Sequence, residues 1–178
     1  MTNKFKDIAN KHKDFPHFLK SVFPVVMQWE GGGKLHNVSG DSGGWTLWGI
    51  AYNFNKQHFD SLEDFKNTTR DEAAAFAFVE YFLPLSLDLV PQNCRLYCFD
   101  MAYNMGVHRA KVFMQSCAGV TADGIFGAKT KSALHKVTLE CLHKKRTDFY
   151  ATLAKQPKNK KFYNGWMNRA RDIYKRSL

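Results

Sequence analysis

The apolar residues Phe18, Val22, Val25, Val26 and Trp29 fall three or four positions apart and make one stripe along a helix. Pro24 lies inside the stripe, so a kink or a restart is expected there, because proline carries no backbone N–H and crowds the preceding turn. The helix is expected to stop at Glu30: Gly31, Gly32 and Gly33 follow, and glycine readily supplies a left-handed cap. Residues 31–50 lose the helical period, and their glycines, spaced by polar residues, predict tight turns and a small hairpin. Helical spacing returns with Thr69 and Glu72, a capping box that launches Ala73 to Phe82, and Ser61 to Asp64 predicts a shorter helix of the same kind. Leu96, Phe99 and Tyr103 mark another helix ended by Gly106, and a further one runs from His108 to Ala118 before Gly119. Asp123-Gly124 favours a tight turn within the connector 120–129. Two helices are expected after it, the last with Phe162, Trp166, Ala170 and Ile173 on one face. The fold class is mainly α with a small glycine-rich β hairpin. Two lobes are expected to meet near residue 95 without a flexible linker.

Composition narrows the partners. A chain of 178 residues allows one domain, or one with a small appendage, and buries a real core unaided. Lys and Arg number 26 against 16 Asp and Glu, a net charge of +10 that favours polyanions: nucleic acid, anionic lipid or an anionic cell wall. No RNA-binding signature or zinc-finger spacing accompanies the charge, so nucleic acid is not expected as the partner. The longest mainly apolar stretch, Ala73 to Leu83, is broken by Glu80 and stops at Pro84, too short to span a membrane. No secretory signal is read at the N-terminus, so a soluble product made in the cytosol is expected. Cys94, Cys98, Cys117 and Cys141 include no CxxC pair and no histidine at metal-site spacing. Cys94 and Cys98 would share one helix face, and all four are expected to be buried, reduced thiols.

One place carries candidate chemistry. Glu30 ends the apolar helix and opens into the glycine-rich segment, with Asp41 and Thr46 following. A carboxylate at a helix C-terminus faces the negative end of the dipole, and an apolar neighbour desolvates it. Both effects favour the protonated form, as a general acid needs. Asp41, in a turn rich in backbone amides, is expected to stay ionised, and two carboxyl groups held apart in this way suit glycosidic hydrolysis. A glutamate before glycine can equally be a solvated helix end, and an aspartate between glycine and serine a turn former. Spacing alone does not choose between these.

The run Glu30-Gly31-Gly32, His36-Asn37, Asp41-Ser42-Gly43-Gly44-Trp45-Thr46 and Gly49-Ile50 resembles the signature of glycoside hydrolase family 108. These are bacterial and phage N-acetylmuramidases, some described as secretion activators. The same order looks like the active-site hairpin of phage-type lysozymes. Asp100 to Gly106, Gly119-Val120, Asp123-Gly124, Gly127, Gly165-Trp166 and Asn168-Arg169 resemble the predicted peptidoglycan-binding region that accompanies the family. The resemblance implies a lysozyme-like catalytic lobe over 1–95 and a helical peptidoglycan-binding lobe over 96–178. It implies Glu30 as the catalytic acid, with Asp41 and Thr46 positioning or activating the attacking water. Trp45 and Trp48 would stack on sugars, with one of them part of the core, and Asn104 would hydrogen-bond an N-acetyl group. Asp100 is expected to be a buried structural carboxylate. Gly33 and Lys34 depart from the pattern, standing where an aromatic residue is expected.

No metal or organic cofactor is implied. The expected partner is the peptidoglycan glycan strand, bound by a monomer that reaches the wall through a holin-like pore, by lysis or by another export route. A lytic transglycosylase and a non-catalytic wall-binding or secretion-assisting protein remain alternatives.

Overall fold

The structure is a computed structural model that describes residues 4–37 and 42–178. Two compact units divide the chain, Met1–Glu80 and Tyr81–Leu178. Among the described residues, no helix is long and apolar enough to cross a membrane.

The first unit opens with α1 (Lys4–Asn10) and a continuous helical run made of α2 (Phe15–His17), a π-helical turn (Phe18–Val22) and α3 (Phe23–Met27). The restart expected at Pro24 is present, and the π turn explains how it is accommodated. In that wider register, where Phe23 N–H reaches the Phe18 carbonyl, position 24 would donate to the Leu19 carbonyl. Proline cannot donate, and the Arg70 guanidinium serves the Leu19 carbonyl instead, at 3.2 Å. Phe15, Phe18, Phe65, Phe76 and Phe78 form the aromatic core of this unit, with edge-to-face contacts such as Phe18 on Phe78 at 5.2 Å.

Three short strands follow, β1 (His36–Asn37), β2 (Trp45–Leu47) and β3 (Ile50–Ala51), in one antiparallel sheet of order β1-β2-β3. The expected single hairpin is thus extended by a second one. Helices α4 (Tyr52–Asn55), α5 (Leu62–Lys66) and α6 (Arg70–Ala77) complete the unit. Ser61 caps α5 as expected, and Thr69 with Glu72 forms the full capping box of α6. Glu72 also accepts from the Lys6 ammonium at 3.0 Å, tying α1 to α6.

A π-helical turn (Phe78–Phe82) leads into the second unit, whose centre is α7 (Gln92–Met105). Around it pack α8 (Val107–Ala118), α10 (Leu139–Ala154) and α11 (Tyr163–Ser177). The short α9 (Ala128–Ala133) lies between α8 and α10, so three helices follow the connector where two were expected. Asp100 on α7 is fully buried, as expected, and takes both nitrogens of a side-on Arg169 at 3.0 and 2.8 Å. Arg146 from α10 approaches its other oxygen at 2.7 Å without hydrogen-bond alignment, so that attraction is coulombic rather than directional. One carboxylate thus faces two buried guanidiniums. The surplus positive charge lies against the rings of Tyr97 and Tyr150, at 5.2 and 5.5 Å from their centroids.

The thiols require one correction. Cys94 and Cys98 are free and buried on α7, as their spacing implies. Burial pushes the Cys94 thiol up to about 11 and Cys98 well above its usual range, so both stay protonated and inert at neutral pH. Cys117 and Cys141, expected to be reduced, instead form a disulfide. Their 24-residue separation carries no sequence signal, and only the packing of α8 on α10 brings their Cα atoms to 5.8 Å.

Two outcomes follow. Asp100→Asn leaves two buried cations unneutralised and is expected to destabilise the second unit by about 3–5 kcal/mol, read by urea unfolding. A loss under about 1 kcal/mol would place the cluster among ordinary surface pairs. In the first unit, burial alone would raise the Glu72 carboxyl, but the Thr69 amide and hydroxyl and the Lys6 ammonium outweigh it and hold it low. A depressed carboxyl adds stability above its unfolded pKa and loses it as the pH falls through the folded one. Thermal midpoints of wild type and Glu72→Gln should therefore differ most near neutrality and converge as pH falls below the ordinary value of 4.5. A gap that persists in acid would contradict the assignment.

Candidate active site

Glu30 follows α3 by one tight turn, its amide donating to the Met27 carbonyl at 3.2 Å, and its side chain is half-buried. The helix stops three residues before the expected Glu30, at Met27, and the turn that follows leads into three left-handed glycines: Gly31, Gly32 and Gly33 have φ of +76°, +63° and +85°. Only glycine adopts such a succession without steric cost. It reverses the chain sharply and leads it into β1.

Trp48 fixes this reversal in place. A Cβ at Gly33 would lie 2.3 Å from the Trp48 ring, so the indole rests directly on the glycine backbone. The indole N–H also donates to the Thr68 carbonyl at 3.1 Å. Trp48 and Gly49 form the two-residue turn between β2 and β3, with φ of +56° and +79°. A tryptophan in the left-handed region is uncommon, and the packing of its half-buried ring on Gly33 with its N–H bond to Thr68 compensates the strain. Gly33, standing where an aromatic residue was expected, therefore makes room for the aromatic ring of Trp48.

Thr46 lies on β2, paired with His36 on one side and Ala51 on the other. Its hydroxyl reaches the Gly44 carbonyl only at 3.5 Å, a weak bond. Trp45, half-buried, has the Lys66 ammonium 4.8 Å from its ring centroid. Asp41 lies outside the described residues. The residues after it are held by Asn53, a position that sequence reasoning missed. Its side chain donates to the Ser42 carbonyl at 2.9 Å, its amide donates to the Gly43 carbonyl, and it occupies the space that a Cβ at Gly44 would need. No motif marks Asn53, since it acts through backbone carbonyls. Asn104 belongs to the second unit, where it accepts a 2.6 Å hydrogen bond from Tyr150. Among the described residues, no cluster of His, Cys, Asp or Glu could hold a metal ion.

A glutamate at a helix end, a glycine reversal and a small antiparallel sheet within a mainly α chain define a lysozyme-like fold. Residues 23–106 match the family model for Glycosyl hydrolase 108, and residues 109–171 match the one for a Predicted Peptidoglycan domain. Residues 23–106 thus form a segment similar to glycosyl hydrolase family 108, and with the second match they mark the chain as a glycosidase directed at peptidoglycan. The structure of SagA from Brucella abortus is similar, with a TM-score of 0.73 and 24% identity, covering 92% of this chain and 95% of that one. Among curated proteins, none matches the sequence.

The glycine reversal yields a graded test. Gly31 and Gly33 are both left-handed, so alanine at either position costs about 1–2 kcal/mol of backbone strain. Gly31 has open space beside it, whereas Gly33 meets Trp48, so Gly33→Ala should cost about 1–3 kcal/mol more. Equal unfolding free energies for the two variants would mean that Trp48 does not pin the turn.

Proposed function

We propose that the chain is an N-acetylmuramidase, which hydrolyses the β-1,4 bond between N-acetylmuramic acid and N-acetylglucosamine. The observation that carries this reading is the position of Glu30. It is a half-buried carboxyl group on a reversal that is clamped against the β2–β3 turn, within the segment that matches the hydrolase family.

Glu30 protonates the leaving oxygen as the glycosidic bond breaks, and a water attacks the anomeric carbon. Thr46, whose hydroxyl is only weakly engaged, orients that water together with Asp41, and the water's proton passes to the carboxylate or to solvent. Trp45 offers the sugar contact. Trp48 serves the loop instead, because its ring and N–H are already committed to Gly33 and Thr68. Residues 96–178 act as the wall-binding lobe, and the net charge of +10 suits an anionic wall polymer.

Release of soluble fragments from purified peptidoglycan tests the acid. Glu30→Gln should lower the rate about 100- to 10,000-fold, and Thr46→Ala by a smaller factor. Release by Glu30→Gln at the wild-type rate would assign the acid elsewhere. Wall binding by a chain that releases nothing would leave a binding protein.

A further inference from the structure

We infer that Asn53, in the first turn of α4, is a positioning residue for Thr46: it fixes the segment 42–44 that leads into β2, and so sets where the Thr46 hydroxyl stands. The inference rests on the proposed role of Thr46 in orienting the attacking water, and adds the residue that holds that hydroxyl in place.

Asn53 engages three successive residues. Its side-chain NH₂ donates to the Ser42 carbonyl at 2.9 Å, and its backbone N–H donates to the Gly43 carbonyl at 3.1 Å. Its amide also lies over Gly44, where a Cβ would stand 2.8 Å from Nδ2. A carbonyl oxygen only accepts, so the amide faces Ser42 with its nitrogen, and the bond itself fixes which way the group points. Gly44 is left-handed, with φ of +65°, and the chain turns there into Trp45, the first residue of β2. Position 44 therefore needs glycine twice over, for its backbone and for the space that Asn53 takes.

Thr46 depends on this restraint because little else holds it. Its strand has three residues, and the strands on either side have two each. So short a sheet is marginal alone and relies on contacts from outside its ladder. The hydroxyl has only the weak 3.5 Å contact to the Gly44 carbonyl, which belongs to the residue beneath the Asn53 amide. On its other side Thr46 pairs with Ala51, two residues before Asn53. The chain thus closes on itself around Thr46, with Asn53 joining the end of β3 to the approach of β2. Asn53 is exposed, so shortening it opens no cavity, and a loss of rate can be read apart from a loss of core packing.

Initial rates on soluble peptidoglycan glycan strands test the role. Asn53→Ala should lower kcat about tenfold and leave KM within about twofold of wild type, since a small displacement of a group that orients the nucleophile slows the chemical step rather than binding. Added to Thr46→Ala, the same change should cost less than about twofold more, because Asn53 acts through Thr46. Asn53→Asp sets an anionic acceptor against the Ser42 carbonyl and should be slower than Asn53→Ala at neutral pH. Its rate relative to wild type should climb as the pH falls through the carboxylate range, because only the protonated acid can donate to Ser42. A contribution to stability alone would give neither the recovery in acid nor the dependence on Thr46. Unchanged kcat in Asn53→Ala, a loss confined to KM, a full additional loss in the Thr46→Ala background, or an Asn53→Asp ratio that stays flat with pH would overturn the inference. Release that depends on Glu30 and Thr46 but not on Asn53 would remove the inference alone. Release independent of Glu30 would instead remove the muramidase reading, and a wild-type rate in Thr46→Ala would remove the role of Thr46 and the inference with it.

Discussion

Two guanidinium groups, Arg146 and Arg169, share the single buried carboxylate of Asp100, and three helices of the second unit meet on that sharing. Desolvating three charges is costly, and a carboxylate between two cations recovers much of that cost only if each group keeps further partners. Tyr150 accepts from Arg146, and the rings of Tyr97 and Tyr150 face the remaining positive charge. The cluster therefore dictates where α10 and α11 lie on α7. Tyr150 in turn donates to the Asn104 side-chain oxygen at 2.6 Å, which links α10 to the end of α7.

The first unit uses a different constraint. There the chain is shaped by backbone that only glycine tolerates and by the indole that occupies the space the glycines leave. Of the left-handed residues at 31, 32, 33, 48 and 49, four are glycine, and Trp48 alone carries conformational strain. Strain of this kind persists where surrounding contacts over-determine it, and Trp48 supplies them through its ring and its N–H. The disulfide between Cys117 and Cys141 adds a covalent tie between α8 and α10. Such a bond persists in an oxidising compartment, which agrees with a protein that acts on the wall.

Local signals were legible in the sequence, and long-range ones were not. Thr69 with Glu72 and the break at Pro24 each depend on residues within one or two turns, and each is present where the pattern placed it, while the helix before the glycines stops at Met27, three residues ahead of Glu30. The π turn that relieves Pro24 was not legible, because its partner, Arg70, lies 51 residues away. The same holds for Cys117 with Cys141 and for Asn53 beneath Ser42. Of the candidate site, the glutamate and its glycines were readable as a motif. That Trp48 closes over Gly33 while Trp45 does not required the fold, because both look alike beside glycine in sequence.

The central claim concerns which bond is cut, and the new reducing end records it. Fragments released from peptidoglycan by the wild-type chain, reduced with borohydride and hydrolysed, should yield muramitol, the reduced form of a muramic acid end. Glucosaminitol would show cleavage of the other glycosidic bond, and 1,6-anhydromuramic ends would show transglycosylation without an attacking water. Either result would contradict the account.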